Sequence, residues 1–160
     1  MKHDSHQESC SVCRTNAEGV PGSGGVIWEN DLWFVRHAPS PAGLAGWTML
    51  NSQRHVQGPA HFTDEEAASF GPVLRHVTRT LEEVTGALRI YVVAFGESTP
   101  HMHSHLIPRY SDLPAEHSAF GVADLMRGVG SGELAGVPED DALAMTAKIG
   151  DALKASPPPA

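Results

Sequence analysis

Three histidines occupy alternate positions, His101, His103 and His105, within the segment HMHSHLIPRY. In an extended chain, residues i, i+2 and i+4 share a face. Three imidazoles would then line one surface, with Met102, Ser104 and Leu106 pointing the other way. Two chemistries fit that array. Three imidazoles can hold a catalytic zinc ion that keeps one position open. Alternatively, a neutral imidazole can attack phosphorus and leave again when protonated, while a neighbour holds phosphate oxygens or protonates the departing group. Spacing alone does not choose between them. Just upstream, Gly96-Glu97-Ser98-Thr99 offers a glycine, hydroxyls and free backbone N–H groups. These suit a phosphate oxygen, and they equally suit a hairpin turn. Arg109 is either a phosphate contact or a solvated strand end. A second constellation is Cys10-Ser11-Val12-Cys13, whose spacing suits two ligands on one tetrahedral metal. A redox pair and two unbound thiols are the competing readings.

These side chains need a scaffold, and the patterning supplies one. Residues 26–28 and 32–36 are short β-prone runs split by Glu29-Asn30-Asp31, a hairpin signal. Residues 37–46 form a Pro/Gly loop, and residues 47–50 read as a third strand. Thr63-Asp64-Glu65-Glu66 is a capping box. After it, Phe70, Val73, Leu74, Val77, Leu81 and Val84 fall at helical spacing. Pro72 is expected to kink this helix and Gly86 to end it. Residues 89–95 and 101–107 read as two more strands. Weaker helices are expected near residues 120–127 and 139–154. The pattern predicts an α+β fold, a five-stranded antiparallel sheet around one long helix. PGSGG, residues 21–25, reads as a flexible linker.

Composition narrows the function classes. The chain has 160 residues and a formal net charge of −8, which leaves no electrostatic footprint for nonspecific duplex nucleic acid. No apolar run approaches the ~20 residues of a membrane span. The start, MKHDSHQESC, lacks a signal-peptide core, and two cysteines make no disulfide framework. A cytoplasmic protein is expected. Residues 1–110 carry a net charge of −3 and residues 111–160 a net charge of −5. The division expected is a catalytic domain over 1–110 and an acidic helical C-terminal extension over 111–160, packed on or near it. That tail should disfavour highly anionic partners unless it folds away from the site. His3, His6, His61, His76 and His117 read as ordinary residues. Trp28, Trp33 and Trp47 read as core or interface, with Trp47 or Phe34 as possible base-stacking groups.

HMHSHLIPRY closely resembles the signature of the histidine-triad (HIT) family. Residues 29–35 resemble the first hairpin of that family. Residues 46–50, ending at Arg54-His55, resemble its glycine-led strand and following histidine, and residues 62–66 the start of its long helix. The resemblance covers about residues 10–110. It implies a nucleotide hydrolase or nucleotidyltransferase acting on a phosphoanhydride or phosphoramidate through a covalent nucleotidyl-histidine. His103 maps to the nucleophile, its other ring nitrogen held by a backbone carbonyl. His105 maps to the residue that contacts the phosphate and leaving group. Phosphate contacts are expected from Gly96, Ser98 and Thr99. A homodimer with two joined sheets is also implied. Some branches carry the cysteine pair, with zinc completed by residues that map to His55 and His101. That would make Cys10, Cys13, His55 and His101 a closed structural Zn2+ site. Three departures stand out. Ser104 replaces an apolar residue, Glu97-Ser98-Thr99-Pro100 replaces the usual phosphate-binding stretch, and Arg36-His37-Ala38-Pro39 lacks the Asp that many members place on the ribose. These departures keep a second hypothesis open, a nucleotide-binding or scaffolding module with little catalysis.

Overall fold

The structure, a computed structural model, describes residues 3–19 and 25–159. The expected linker lies outside the described residues except for Gly25, which adopts φ +81°. Five strands, β1 (Val26–Glu29), β2 (Trp33–His37), β3 (Thr48–Ser52), β4 (Arg89–Val93) and β5 (His103–Arg109), form one sheet in the order β1-β2-β3-β5-β4. Every neighbouring pair is antiparallel. The α+β sheet expected from the patterning is therefore present. Asn30 closes the first hairpin, its Oδ1 accepting from the N–H groups of Leu32 (3.0 Å) and Trp33 (2.7 Å). The chain then leaves β3, crosses as a long helix, returns as the outer strand β4 and inserts β5 beside β3. That last step carries the histidines into the middle of the sheet.

Four α-helices accompany the sheet: α1 (Ser11–Glu18), α2 (Asp64–Thr85), α3 (Val122–Ser131) and α4 (Glu139–Ala155). The capping box at α2 is complete. Thr63 accepts from the Glu66 N–H (3.2 Å), and the Glu66 carboxylate accepts from the Thr63 N–H (2.8 Å). The same carboxylate, almost fully buried, takes two hydrogen bonds from Arg54 at 2.6 and 2.9 Å. Gly86 ends the helix in the left-handed region at φ +68°. Pro72 does not interrupt α2. It sits on the exposed side, as does Ala68, so water can serve the carbonyl that proline leaves without a donor. The eight-residue α1 has no counterpart in the sequence reading. Its cap is the Cys10 thiol, accepting from the Cys13 N–H at 3.4 Å, instead of a hydroxyl or carboxylate.

Alternation along the strands sorts side chains to two faces. Trp33, Val35, Leu50 and Leu106 meet Val73, Val77 and Leu81 of α2 and Ile149 and Leu153 of α4. On the opposite face, Trp47, Met49 and Ile107 meet Val122, Leu125 and Val129 of α3. The chain after residue 110 thus contributes to both hydrophobic clusters. His76 fastens it further, donating from Nε2 to the Ser156 carbonyl at 2.7 Å. No helix among the described residues is long and apolar enough to cross a membrane.

Candidate active site

The expected strand over residues 101–107 begins two residues late, at His103. His101 lies just before it, its N–H donating to the Thr99 carbonyl (2.8 Å). Its ring is fully buried, whereas those of His103 and His105 are half-buried. Consequently the three imidazoles do not form one array. His101 Nε2 donates to the Ser52 carbonyl (2.8 Å), and its Nδ1 faces the thiols of Cys10 (3.5 Å) and Cys13 (3.4 Å). Both ring nitrogens are engaged away from its neighbours, so the open three-histidine metal centre is not formed.

His103 and His105 do share a face, their ring centroids 5.5 Å apart. Each has its tautomer set by one hydrogen bond. The Nδ1 of His103 lies 2.6 Å from the His101 carbonyl oxygen. A carbonyl can only accept, so Nδ1 carries a proton, and in the neutral tautomer this bond selects, Nε2 keeps its lone pair. His105 is the reverse case. The indole Nε1–H of Trp47 donates to its Nδ1 at 3.1 Å, which leaves the neutral ring's proton on Nε2. Burial pushes the pKa of His105 down to about 4, with like-charge repulsion from His103 and Arg36 adding to the effect. The pair therefore presents one lone pair and one N–H donor side by side.

Both rings line a cavity of about 300 Å³. Thr99 and Ser11 form part of its rim, their hydroxyls 3.2 Å apart. Met126, Val129 and Gly130 of α3 supply another wall. The C-terminal segment thus reaches the cavity with apolar atoms, and no acidic side chain is among the lining residues. Of the anticipated phosphate contacts, Thr99 lines this cavity and Gly96 lines a smaller one beside His101 and His103. Ser98 lines neither. Arg109 stands at the far end of β5, opposite Arg89, and takes no part in the cavity wall.

Cys10, Cys13, His55 and His101 come together on the other side of His101, with one ligand atom from each within 4.8 Å of every other. The Sγ–Nδ1 separations are 3.3 Å for Cys13–His55 and 3.4 and 3.5 Å for the two cysteines to His101. Zn–S and Zn–N bonds at a tetrahedral angle would place such atoms about 3.6 Å apart. The bond from His101 Nε2 to Ser52 also leaves Nδ1 as the free lone pair, the kind of outer support that metal-bound histidines have. Donor chemistry, spacing and tautomer all fit a tetrahedral ion with no open position. Burial raises the Cys13 thiol pKa and lowers those of His55 and His101, the last to about 4.

Several contributors lack a local sequence signal. Trp47 is buried as expected, but its role as hydrogen-bond donor to His105 follows from sheet register. Ser5, in the polar leader, accepts the His55 N–H at 2.7 Å. His37 is fully buried, donating from Nδ1 to the Ala38 carbonyl and accepting the Gly46 N–H on Nε2, both at 2.9 Å. This clasp holds the loop over residues 38–46 against the start of β3. Gly46 takes φ +78°, and a Cβ there would lie 2.9 Å from the Thr85 side chain, so this turn requires glycine.

Comparison with known proteins supports the same fold. A sequence model described as the HIT domain matches residues 23–112. A HIT-like protein from Bartonella henselae, described as involved in cell-cycle regulation, superposes with a TM-score of 0.66 at 14% identity, covering 92% of this chain and 98% of that one. A zinc-bound histidine triad family protein from Mycobacterium smegmatis gives 0.64 at 17% identity over 92% and 98%. A histidine triad protein from Sinorhizobium meliloti gives 0.61 at 23% identity over 88% and 93%. A search of curated protein sequences finds no match.

Proposed function

This chain belongs to the HIT-domain family, and from that premise we propose that it hydrolyses or transfers a nucleoside monophosphate held in a phosphoanhydride or phosphoramidate. The observation that carries the proposal is the 2.6 Å hydrogen bond from His103 Nδ1 to the His101 carbonyl, beside a cavity shared with His105. In the neutral ring this bond places the lone pair on Nε2. That nitrogen attacks the α-phosphorus, and the bond from phosphorus to the leaving group breaks as the P–N bond forms. The Nε2–H of His105 hydrogen-bonds the phosphoryl oxygens and the departing atom. A phosphate leaving group departs as an anion, whereas an amine takes its proton from water. Water or a second acceptor then attacks phosphorus, the P–N bond breaks, and His103 recovers its lone pair as the attacking group's proton passes to solvent.

Cys10, Cys13, His55 and His101 would hold a structural zinc ion, which supplies a cross-link between α1 and the entry to β5. The two thiols are free, as a reducing cytoplasm would keep them. A homodimer belongs to the same reading. Leu88, Val92 and Phe95, on and beside the outer strand β4, are about half exposed or more, and a second copy's sheet would cover them.

Intact-mass spectrometry after brief incubation with a panel of nucleotides and nucleoside phosphoramidates tests the chemistry. The expected result is an increment of one nucleoside monophosphate, absent in His103→Asn. That variant should lose turnover by about a thousandfold or more while still binding ligand. Full turnover in His103→Asn overturns the proposal.

A further inference from the structure

One wall of the cavity carries a charge that the proposed chemistry does not use. Arg36 on β2 is 4% exposed and lines the cavity with His103 and His105. Its position follows from register. Arg36 pairs with Met49, and Met49 pairs with His105, so the three side chains lie in one row on one face of the sheet. Two strand spacings, about 10 Å, separate the Arg36 and His105 backbones, a gap that an arginine side chain partly spans.

The guanidinium is poorly satisfied there. One terminal nitrogen donates to the His37 carbonyl at 3.2 Å, and Nε has no hydrogen-bond partner among the described residues. Arg36 enters no ion pair among those residues. Around it the walls are apolar: Ala38, Ala42, Met49 and Val129. It is the sole formally charged side chain among the lining residues, in a protein of net charge −8. Burial lowers its pKa to about 10, so it is still protonated near neutral pH. A buried cation without a counterion is costly. An arginine in this setting, with N–H groups unspent, is matched by a planar or tetrahedral oxyanion.

We propose that Arg36 binds a second phosphate of the substrate, distinct from the phosphorus that His103 attacks, so that the cavity selects nucleotides carrying at least two phosphates. The proposal rests on the nucleotide reading of the cavity. The second phosphate can sit on the sugar or further along the phosphate chain; the recognising chemistry is the same.

Calorimetric binding to the full-length protein at one fixed ionic strength separates these sources. The probes are AMP, adenosine 2′,5′-bisphosphate, adenosine 3′,5′-bisphosphate and the non-cleavable α,β-methylene analogue of ADP. At least one doubly phosphorylated probe should bind about tenfold or more tightly than AMP, the gain from a charge-assisted hydrogen-bonded pair. Whichever it is locates the second phosphate. In Arg36→Met that preference should fall to within about twofold, and Arg36→Lys should keep part of it. Arg36→Gln serves if the methionine variant does not fold. Equal binding of all four probes by the wild-type protein overturns the proposal, as does a preference that survives in both Arg36→Met and Arg36→Gln. A nucleotidyl adduct formed at His103 without any such preference refutes the Arg36 subsite alone. Failure of all four probes to bind refutes the nucleotide reading with it.

Discussion

At the scale of single residues, the site rests on two imidazoles locked into opposite tautomers by different partners. For His103 the partner is a backbone carbonyl, which no substitution removes. For His105 it is the indole of Trp47, which one can. Trp47→Phe should leave KM little changed and lower kcat by about tenfold, because His105 can then carry its proton on either nitrogen. Nitrogen NMR should show His105 with mixed tautomers in the variant and with Nε2 protonated in the wild type. A single Nε2-H tautomer in the variant refutes the positioning role. The depressed pKa of His105 has a signed consequence for stability. Between pH 6.5, the ordinary value, and about 4, the unfolded chain binds a proton at this residue that the folded chain excludes. Its contribution is complete above that window and is lost as pH falls through it, by up to about 3 kcal/mol. Denaturant melts of the wild type and His105→Gln across this range should show the shallower pH dependence in the variant. His101, His103, His105 and the cysteine pair were legible because their types recur at short spacings, whereas His55 stands alone in the sequence and entered only through the family resemblance. Arg36 and Trp47 were not, since their importance arises from lateral register across three strands.

At the scale of elements, periodicity located all five strands and three of the four α-helices. The fourth, α1, escaped because it is a single short helix capped by a thiol, and short helices carry little signal of their own. Its burial is confined to a cluster of Cys10, Val12 and Cys13, too small to hold it against the sheet unaided. The proposed zinc ion would supply what that core lacks. Protein purified under reducing conditions without chelator should contain about one zinc per chain. Cys10→Ser and His101→Ala should lose it, whereas His103→Asn and His105→Asn should retain it. Chelation should lower the melting temperature by about 5–15 °C. Metal content near zero in the wild type, or equal loss in all four variants, would contradict this assignment.

At the scale of the whole molecule, the chain after Tyr110 is structurally inseparable from what precedes it. Ile149 and Leu153 are fully buried in one cluster, and Val122, Leu125 and Val129 are nearly so in the other. Removing five such side chains costs roughly 10 kcal/mol, on the scale of the entire stability of a domain this size. Truncation after Tyr110 should therefore yield an unfolded chain, seen as loss of near-ultraviolet circular dichroism and of dispersed amide resonances. A folded, active fragment would show that the tail is a true appendage. The sequence suggested an acidic extension packed on or near the domain, but not which side chains dock it, because net charge reports on a segment's surface and not on the apolar stripe beneath. One consequence follows from where the cavity gets its sides. The HIT-domain match ends at residue 112, yet Met126, Val129 and Gly130 lie beyond it, and Ser11 and Val12 lie before its start at residue 23. His103 and His105 sit on a floor inside the match, while segments on either side of it build part of the surrounding enclosure. Descendants of such a protein could change ligand preference by exchanging these flanking segments, leaving the two histidines where they are.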